Sequence, residues 1–188
     1  MTRTFTYALL LRGINVGGHR KVPMAELRTV LSELGLGDVR THLQSGNAAF
    51  TSDADDEAAL TRDIERAIAG HFGFSVGCIV RDGAYLNAVR DNCPFPAAEL
   101  EGKQLHVTYF SEPVGPERFT SVEPAAFLPE EFRLGDRALY LYAPDGLGRS
   151  ALGQALSRPS LFKGIVATTR NWNTVVKLAE LTSEETDV

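Results

Sequence analysis

Cysteine is scarce in this chain, which has only Cys78 and Cys93 among its 188 residues. A single pair cannot make a zinc-finger pattern, and it only weakly indicates a disulfide. Cys78 lies in an apolar run, which is typical of a buried and inert thiol. The four histidines show no metal-binding spacing such as HxxxH. We therefore expect neither a metal site nor a cofactor.

Positive charge is also in deficit, because 19 Lys and Arg residues face 24 Asp and Glu residues and the net charge is −5. An acidic chain lacks the basic field that non-specific binding to nucleic acid or anionic membrane needs. No segment approaches the ~18 apolar residues of a membrane span. The ALLL run before Arg12 is too short for a signal-peptide core. The sequence predicts a cytoplasmic protein with no membrane partner, and its charge weighs against nucleic acid as a partner, although a local basic patch at the loop rim stays open.

The first half of the chain alternates strand and helix patterns. A continuous apolar run at 5–11 predicts a buried strand, and apolar residues at helical spacing follow Pro23 until Gly35. Two short strands at 38–43 and 47–52, a helix after the acidic stretch that starts at Asp53, and a strand at 75–80 complete the half. This order, β-α-β-β-α-β, is that of the ferredoxin-like fold.

The second half has more irregular connections, since eight of the nine prolines lie at residue 94 or later. Its patterns predict a linking helix at 83–91, strands at 104–110, 131–135, 137–143 and 165–169, and helices at 115–121, 150–157 and 171–181. The order is again β-α-β-β-α-β with flanking helices. We predict an α+β protein of two ferredoxin-like (alpha-beta plait) subdomains, residues 1–81 and 82–188.

Three polar clusters stand out against this ordinary background: RGINVGGHRK at 12–21, QSGN at 44–47 and TTRNWN at 168–173. In a split β-α-β unit with a right-handed crossover, the third strand lies antiparallel between the first two. The loop after the first strand and the turn after the second should therefore meet at one rim of the sheet. TTRNWN is predicted to open the last helix, with Thr169 or Asn171 as its cap.

These motifs resemble those of the bacterial family catalogued as domain of unknown function 1697. The resemblance covers nearly the whole chain and rests on RGINVGG with Lys21, Met24 and Leu27, on QSGN, and on TRNWN with Lys177. A more familiar form of the second motif reads YIQSGN, where this chain has His42 and Leu43. The resemblance implies a fold of two alpha-beta plait subdomains, and it implies no activity.

Glycines, amides and fixed positive charges, distributed over the three clusters, predict a site for a small ligand that carries phosphate or carboxylate. Positive charge would come from three basic side chains, backbone N–H donors from two glycines, and orientation from amides and a hydroxyl. The predicted residues are Arg12, Asn15, Gly17, Gly18, Lys21, Gln44, Ser45, Asn47, Arg170 and Asn171. A cation at Arg170 would oppose the helix dipole, which either a bound anion or a carboxylate partner elsewhere in the chain would explain.

Each motif also has a plainer interpretation. The glycine-rich loop is neither a P-loop nor GxGxxG, QSGN is good hairpin chemistry, and Trp172 fits a helix core. An enzyme at the same rim would need a titratable group such as His19 or His42, whereas a protein-interaction module would show the motifs saturated by internal hydrogen bonds. A nucleic-acid partner would require an exposed basic strip. The apolar first strand predicts a covered sheet face, under the second subdomain or in a homodimer.

Overall fold

The structure, a computed structural model, describes residues 3–183 and divides them into two compact units. The first unit comprises residues 3–87 together with 178–183, and the second comprises residues 88–177. The chain therefore leaves the first unit within one helix and returns to it within another. The predicted division after residue 81 had assigned the whole C-terminal helix to the second half.

The first unit is a four-stranded antiparallel sheet with helices. Its elements are β1 (Phe5–Leu11), α1 (Met24–Glu33), β2 (Gly37–His42), β3 (Asn47–Ser52), α2 (Glu57–Phe72) and β4 (Cys78–Asp82), followed by the start of α3 (Gly83–Asp91). The strand order is β2-β3-β1-β4, so β3 lies between the first two strands as the ferredoxin-like prediction requires. That prediction of fold class is confirmed.

Alternation along β1 explains why this sheet is buried on both faces. Tyr7, Leu9 and Leu11 belong to the core cluster that includes the apolar stripes of α1 and α2. Their neighbours Ala8 and Leu10 project from the opposite face and are also fully buried. The continuous apolar run at 5–11 therefore correctly predicted a strand covered on both sides.

Cap geometry fixes the ends of α2. The Asp56 side chain accepts a hydrogen bond from the Ala59 N–H at 2.9 Å, which satisfies one of the free donors of the first turn. At the other end Gly73 adopts φ +79° and its N–H donates to the Ala69 carbonyl, a left-handed C-cap that glycine adopts without strain.

The second unit repeats the sheet order of the first. It contains β5 (Leu105–Phe110), β6 (Glu131–Gly135), β7 (Ala138–Tyr142), α4 (Ala151–Leu156), β8 (Ala167–Asn171) and the first half of α5 (Trp172–Ser183), with strand order β6-β7-β5-β8. The helix predicted at 115–121 is replaced by two short 3-10 turns, Pro116–Phe119 and Pro124–Phe127. Pro116 is compatible with the start of a helix, but Glu123 before Pro124 is extended and Pro124 has no N–H to donate, so the first turn does not continue as a regular α-helix.

The motif TTRNWN opens α5 one residue later than predicted, and Asn171 caps the helix as predicted, whereas Arg170 lies in a strand and not at the helix start. Thr168 to Asn171 lie in β8, where they pair with β5, and α5 begins only at Trp172. The two threonines favour the strand because they are β-branched. In the strand, the side chains at 168 and 170 face one side of the sheet and those at 169 and 171 face the other. Within residues 3–183 no helix has the length and apolarity needed to cross a bilayer.

Candidate functional site

The loop after β1 and the turn after β2 meet at one end of the first sheet. The Leu11 N–H donates to the Gly46 carbonyl at 2.9 Å. The side chain of Asn15 reaches the Gln44 carbonyl at 2.7 Å. Since β3 lies between β1 and β2, both segments reach the same rim, and the predicted meeting of the two motifs is confirmed.

Asn15 closes the base of the loop. Its Nδ2 donates to the carbonyls of Val22 at 3.0 Å and Gln44 at 2.7 Å, and its Oδ1 accepts from the Val22 N–H at 2.8 Å. Its backbone N–H donates to the Arg20 carbonyl at 3.1 Å, and its φ is +54°. Both amide hydrogens are therefore used inside the protein. Asn15 positions the loop, whereas the sequence predicted that it orients a ligand.

Asn47 holds the turn in the same way. Its side chain is fully buried and donates to the His42 carbonyl at 2.8 Å and to Ser45 Oγ at 3.1 Å. Gly46 has φ +89°, and a Cβ there would lie 2.6 Å from Ile14 Cδ1 and 2.9 Å from Leu11 Cβ. No larger residue than glycine fits at position 46 between the turn and the loop. The structure of the turn therefore explains Ser45, Gly46 and Asn47 without a ligand.

The tip of the loop is a tight exposed turn. The His19 N–H donates to the Val16 carbonyl at 3.1 Å, and the residues between them are Gly17 and Gly18, with φ of +60° and +77°. Their backbone N–H groups donate to no other residue in the described part of the chain. Val16 is 68% exposed, which is unusual for an apolar side chain of this size.

Four basic side chains lie on this loop. Arg12, His19, Arg20 and Lys21 are all exposed, and within residues 3–183 none of these side chains forms an ion pair or a hydrogen bond. In a chain with a net charge of −5, a cluster of basic groups without acidic partners concentrates local positive potential. Gln44 and Ser45 of the turn are exposed beside it.

Arg170 and Asn171 lie in the second unit, and their environment differs from the prediction. Arg170 is 7% exposed, and its Nη1 donates to Thr168 Oγ1 at 2.7 Å and to the Thr169 carbonyl at 3.0 Å. Burial lowers its pKa to about 10. Asn171 caps α5 through Oδ1, which accepts from the Thr174 N–H at 3.0 Å. Because Arg170 is buried in β8, it cannot belong to an exposed basic strip. Its contribution to one site together with the loop at 12–21 remains a prediction.

Groups suited to catalysis or metal binding are few. No cluster of three or more His, Cys, Asp or Glu side chains in the described residues could hold a metal ion. Both cysteines are free, and burial raises the pKa of the Cys78 thiol far above its usual range, which keeps it unreactive. Burial also lowers the pKa of His106, whose Nδ1 has no hydrogen-bond partner among residues 3–183.

One concave site escaped the sequence prediction. A cavity of about 690 Å³ opens on the second unit and is lined by residues of the 95–100 and 128–131 stretches and by Tyr142. The signal that could have indicated it is the concentration of proline and phenylalanine in CPFPAAEL and FLPEE, since such rings cannot all be covered by short connections.

The two units define an α+β protein with two ferredoxin-like sheets. The first unit also carries the basic loop at 12–21, which Asn15 bonds to the turn after β2. Residues 4–140 match the family described as "Protein of unknown function (DUF1697)", and the chain belongs to this family. The family assignment predicted from the three motifs is therefore confirmed.

A solved structure is similar over almost the entire chain. It is that of the conserved bacterial protein SP0830 from Streptococcus pneumoniae, which is 29% identical, with a TM-score of 0.77 over 96% of this chain and 99% of the other. No curated protein matches the chain. The comparisons give a family and a fold and no activity.

Proposed function

We propose that the loop at residues 12–21 binds a small ligand that carries phosphate or carboxylate. The observation that carries the proposal is the set of four exposed basic side chains, which have no acidic partner within residues 3–183 and stand on a loop closed by Asn15. A fixed loop places its charges without a large loss of conformational entropy on binding, which favours affinity.

In the proposed site, the residues of the loop and the turn take two kinds of role. Arg12 and Lys21 supply charge, with His19 and Arg20 beside them, and the free N–H groups of Gly17 and Gly18 add donors. Gln44 and Ser45 are exposed at the rim and can contact the ligand. Asn15 and Asn47 act as positioning residues because their amide hydrogens are already used.

A second candidate is an interaction surface for a larger partner. Val16 at the tip is 68% exposed and Leu43 at the turn is 55% exposed, next to the basic side chains. A contiguous exposed apolar patch rimmed by polar residues is typical of a docking surface. A protein or a single-stranded nucleic acid would use both, whereas a free phosphate would use the charges alone.

Calorimetric titration of the wild type and three variants with pyrophosphate, citrate and a short RNA tests the proposal. Arg12→Gln and Lys21→Gln should each weaken pyrophosphate or citrate binding about tenfold, since each removes a charge from the site. Arg62→Gln is the matched control, because Arg62 is an exposed arginine of α2 without a partner in the described chain. It should bind like the wild type.

The outcomes separate the candidates. Absence of saturable binding to pyrophosphate and citrate, or equal affinity in all four proteins, would contradict the anion site. If RNA alone binds, a further variant, Val16→Ser, is titrated with it, and loss of binding in Val16→Ser as well as in Arg12→Gln would favour the interaction surface. A shift of the Arg170 Nε resonance during a pyrophosphate titration would support a contribution from the second unit.

A further inference from the structure

The cavity of the second unit lies in a different unit from the basic loop and differs from it in character. Its volume of about 690 Å³ is in the range of small-molecule pockets, about 300–1,000 Å³. Most of its wall is apolar: Pro96 and Pro129 contribute rings, and Leu100 and Leu128 contribute aliphatic side chains. Leu128 is 64% exposed, so an apolar side chain of this wall is left open to solvent.

Two aromatic rings give the cavity its shape. Phe95 and Tyr142 lie with ring centroids 6.0 Å apart at an interplanar angle of 36°. Tyr142 extends from β7 on the face opposite Leu141, which belongs to the core of the unit, so its ring is available to the cavity. A wall of flat rings and proline faces favours a flat, aromatic ligand.

The polar groups of the cavity are hydrogen-bond acceptors. Glu131 Oε2 accepts from Arg133 Nη2 at 3.1 Å, and its Oε1 has no hydrogen-bond partner within residues 3–183. The Tyr142 hydroxyl likewise has none there. The Arg133 guanidinium is further occupied, since it donates to the Phe132 carbonyl at 2.9 Å and lies 5.8 Å from the Phe95 ring centroid.

Charge near the cavity favours a cation. Glu99 and Glu101 flank the lining residue Leu100, and Glu131 is itself part of the lining. The cations nearby in the sequence are both ion-paired: Lys103 lies 2.8 Å from Glu101, and Arg133 bonds to Glu131. The lining itself has one acidic residue, Glu131, and no basic residue, so an ammonium group is favoured there over a carboxylate.

We propose that this cavity binds a small aromatic amine. The ring of the ligand packs against Phe95, Leu128 and the two prolines, and its ammonium group donates to Glu131 Oε1 and to the Tyr142 hydroxyl. Contact with the apolar wall accounts for most of the affinity, and the Glu131 carboxylate makes the site selective for a positively charged ligand. This site does not depend on the function proposed for the loop, because all its residues belong to the second unit.

Nuclear magnetic resonance titration of the ¹⁵N-labelled full chain tests the proposal with two probes of the same ring, tryptamine and indole-3-acetate. Tryptamine should give saturable shifts at the amides of Leu100, Glu131 and Tyr142. Indole-3-acetate should bind about tenfold more weakly because its carboxylate meets Glu131. Glu131→Gln should remove most of this preference by weakening tryptamine and not indole-3-acetate.

A matched pair of leucine variants tests the wall. Leu128→Ser should weaken both probes several-fold, and its exposed position makes loss of folding unexpected. Leu147→Ser is the control, because Leu147 is a 38% exposed leucine of the same unit outside the lining. The proposal is overturned if tryptamine gives no saturable shift up to about 10 mM, if both probes bind equally to the wild type, or if Leu128→Ser binds like Leu147→Ser.

Discussion

Single amides set the geometry of the candidate loop. Asn15 and Asn47 were predicted to face a ligand because amides offer both donors and acceptors. The Asn15 amide instead donates to the Val22 and Gln44 carbonyls, and the Asn47 amide donates to the His42 carbonyl and to Ser45 Oγ. The sequence correctly placed Asn15 and Asn47 at the rim of the sheet. Their observed role is to position the loop and the turn, whereas the predicted role was to orient a ligand. Asn15 has φ of +54°, a conformation that asparagine tolerates better than most residues. The presence of asparagine at this position is therefore explained by the backbone of the loop, without a ligand.

Replacement of Asn15 by alanine should destabilise the first unit by about 2–3 kcal/mol. The variant loses three side-chain hydrogen bonds and leaves the Val22 N–H without its acceptor, and a Cβ-bearing residue without a local hydrogen bond is strained at positive φ. Urea unfolding measures the change. Gln44→Ala is the control, since only the backbone carbonyl of Gln44 joins this network, and it should stay within about 0.5 kcal/mol of the wild type. Equal midpoints for the two variants would show that the loop does not depend on Asn15.

His106 should make stability depend on pH. Burial lowers its pKa below the usual value of 6.5, so the unfolded chain takes up a proton at a higher pH than the folded chain. The contribution is complete above about pH 6.5 and is lost as the pH falls from there through the pKa of the folded state. Each unit of that pKa difference corresponds to about 1.4 kcal/mol.

The comparison with His106→Leu isolates this group. Urea unfolding at pH 7.5 and 5.5 should show a smaller decrease on acidification in the variant than in the wild type, because leucine does not titrate. Identical decreases would mean that His106 is protonated equally in both states. The other histidines, His19, His42 and His71, are common to both proteins and cancel from the difference.

At the scale of elements, the sequence was most informative where one periodicity covered a whole segment. The helix predicted at 83–91 agrees with α3, and the run at 5–11 agrees with β1, because each has one burial pattern along its length. The boundary between β8 and α5 was displaced because IVATT is more apolar than TTRN, although the ladder to β5 extends to Asn171. Register with a neighbouring strand depends on distant residues, which no local pattern records.

That displacement changed one site residue completely. As a helix-start residue, Arg170 would face solvent and oppose the helix dipole; as a strand residue paired with Val107, it is buried and bonded to Thr168 and Thr169. The loop and the turn could be predicted together because ferredoxin-like topology brings them to one rim. The cavity of the second unit could not, since its walls come from irregular segments whose packing follows no periodicity.

At the scale of the whole molecule, the first unit is built from two segments that are far apart in the sequence. The last part of α5 belongs to the first unit, where Leu178, Ala179 and Leu181 are buried. Arg40 of β2 donates to the Leu181 carbonyl at 3.2 Å, and a Cβ on Gly83 would lie 2.6 Å from the Thr182 carbonyl oxygen. The first unit is thus assembled from both ends of the sequence, and its first 87 residues alone are an incomplete unit.

A chain that ends at Lys177 should therefore lose several kcal/mol of stability in the first unit. Each buried leucine that is removed costs about 2–5 kcal/mol, against a total of about 5–15 kcal/mol for a domain. Amide hydrogen exchange should rise in β1 and β3, whereas the Glu33→Gln control, a change at an exposed residue of α1 without a partner in the described chain, should leave exchange in both strands unaltered. Unchanged protection of β1 and β3 in the truncated chain would mean that the first unit is complete without the end of α5, and the division into units would then have to be redrawn.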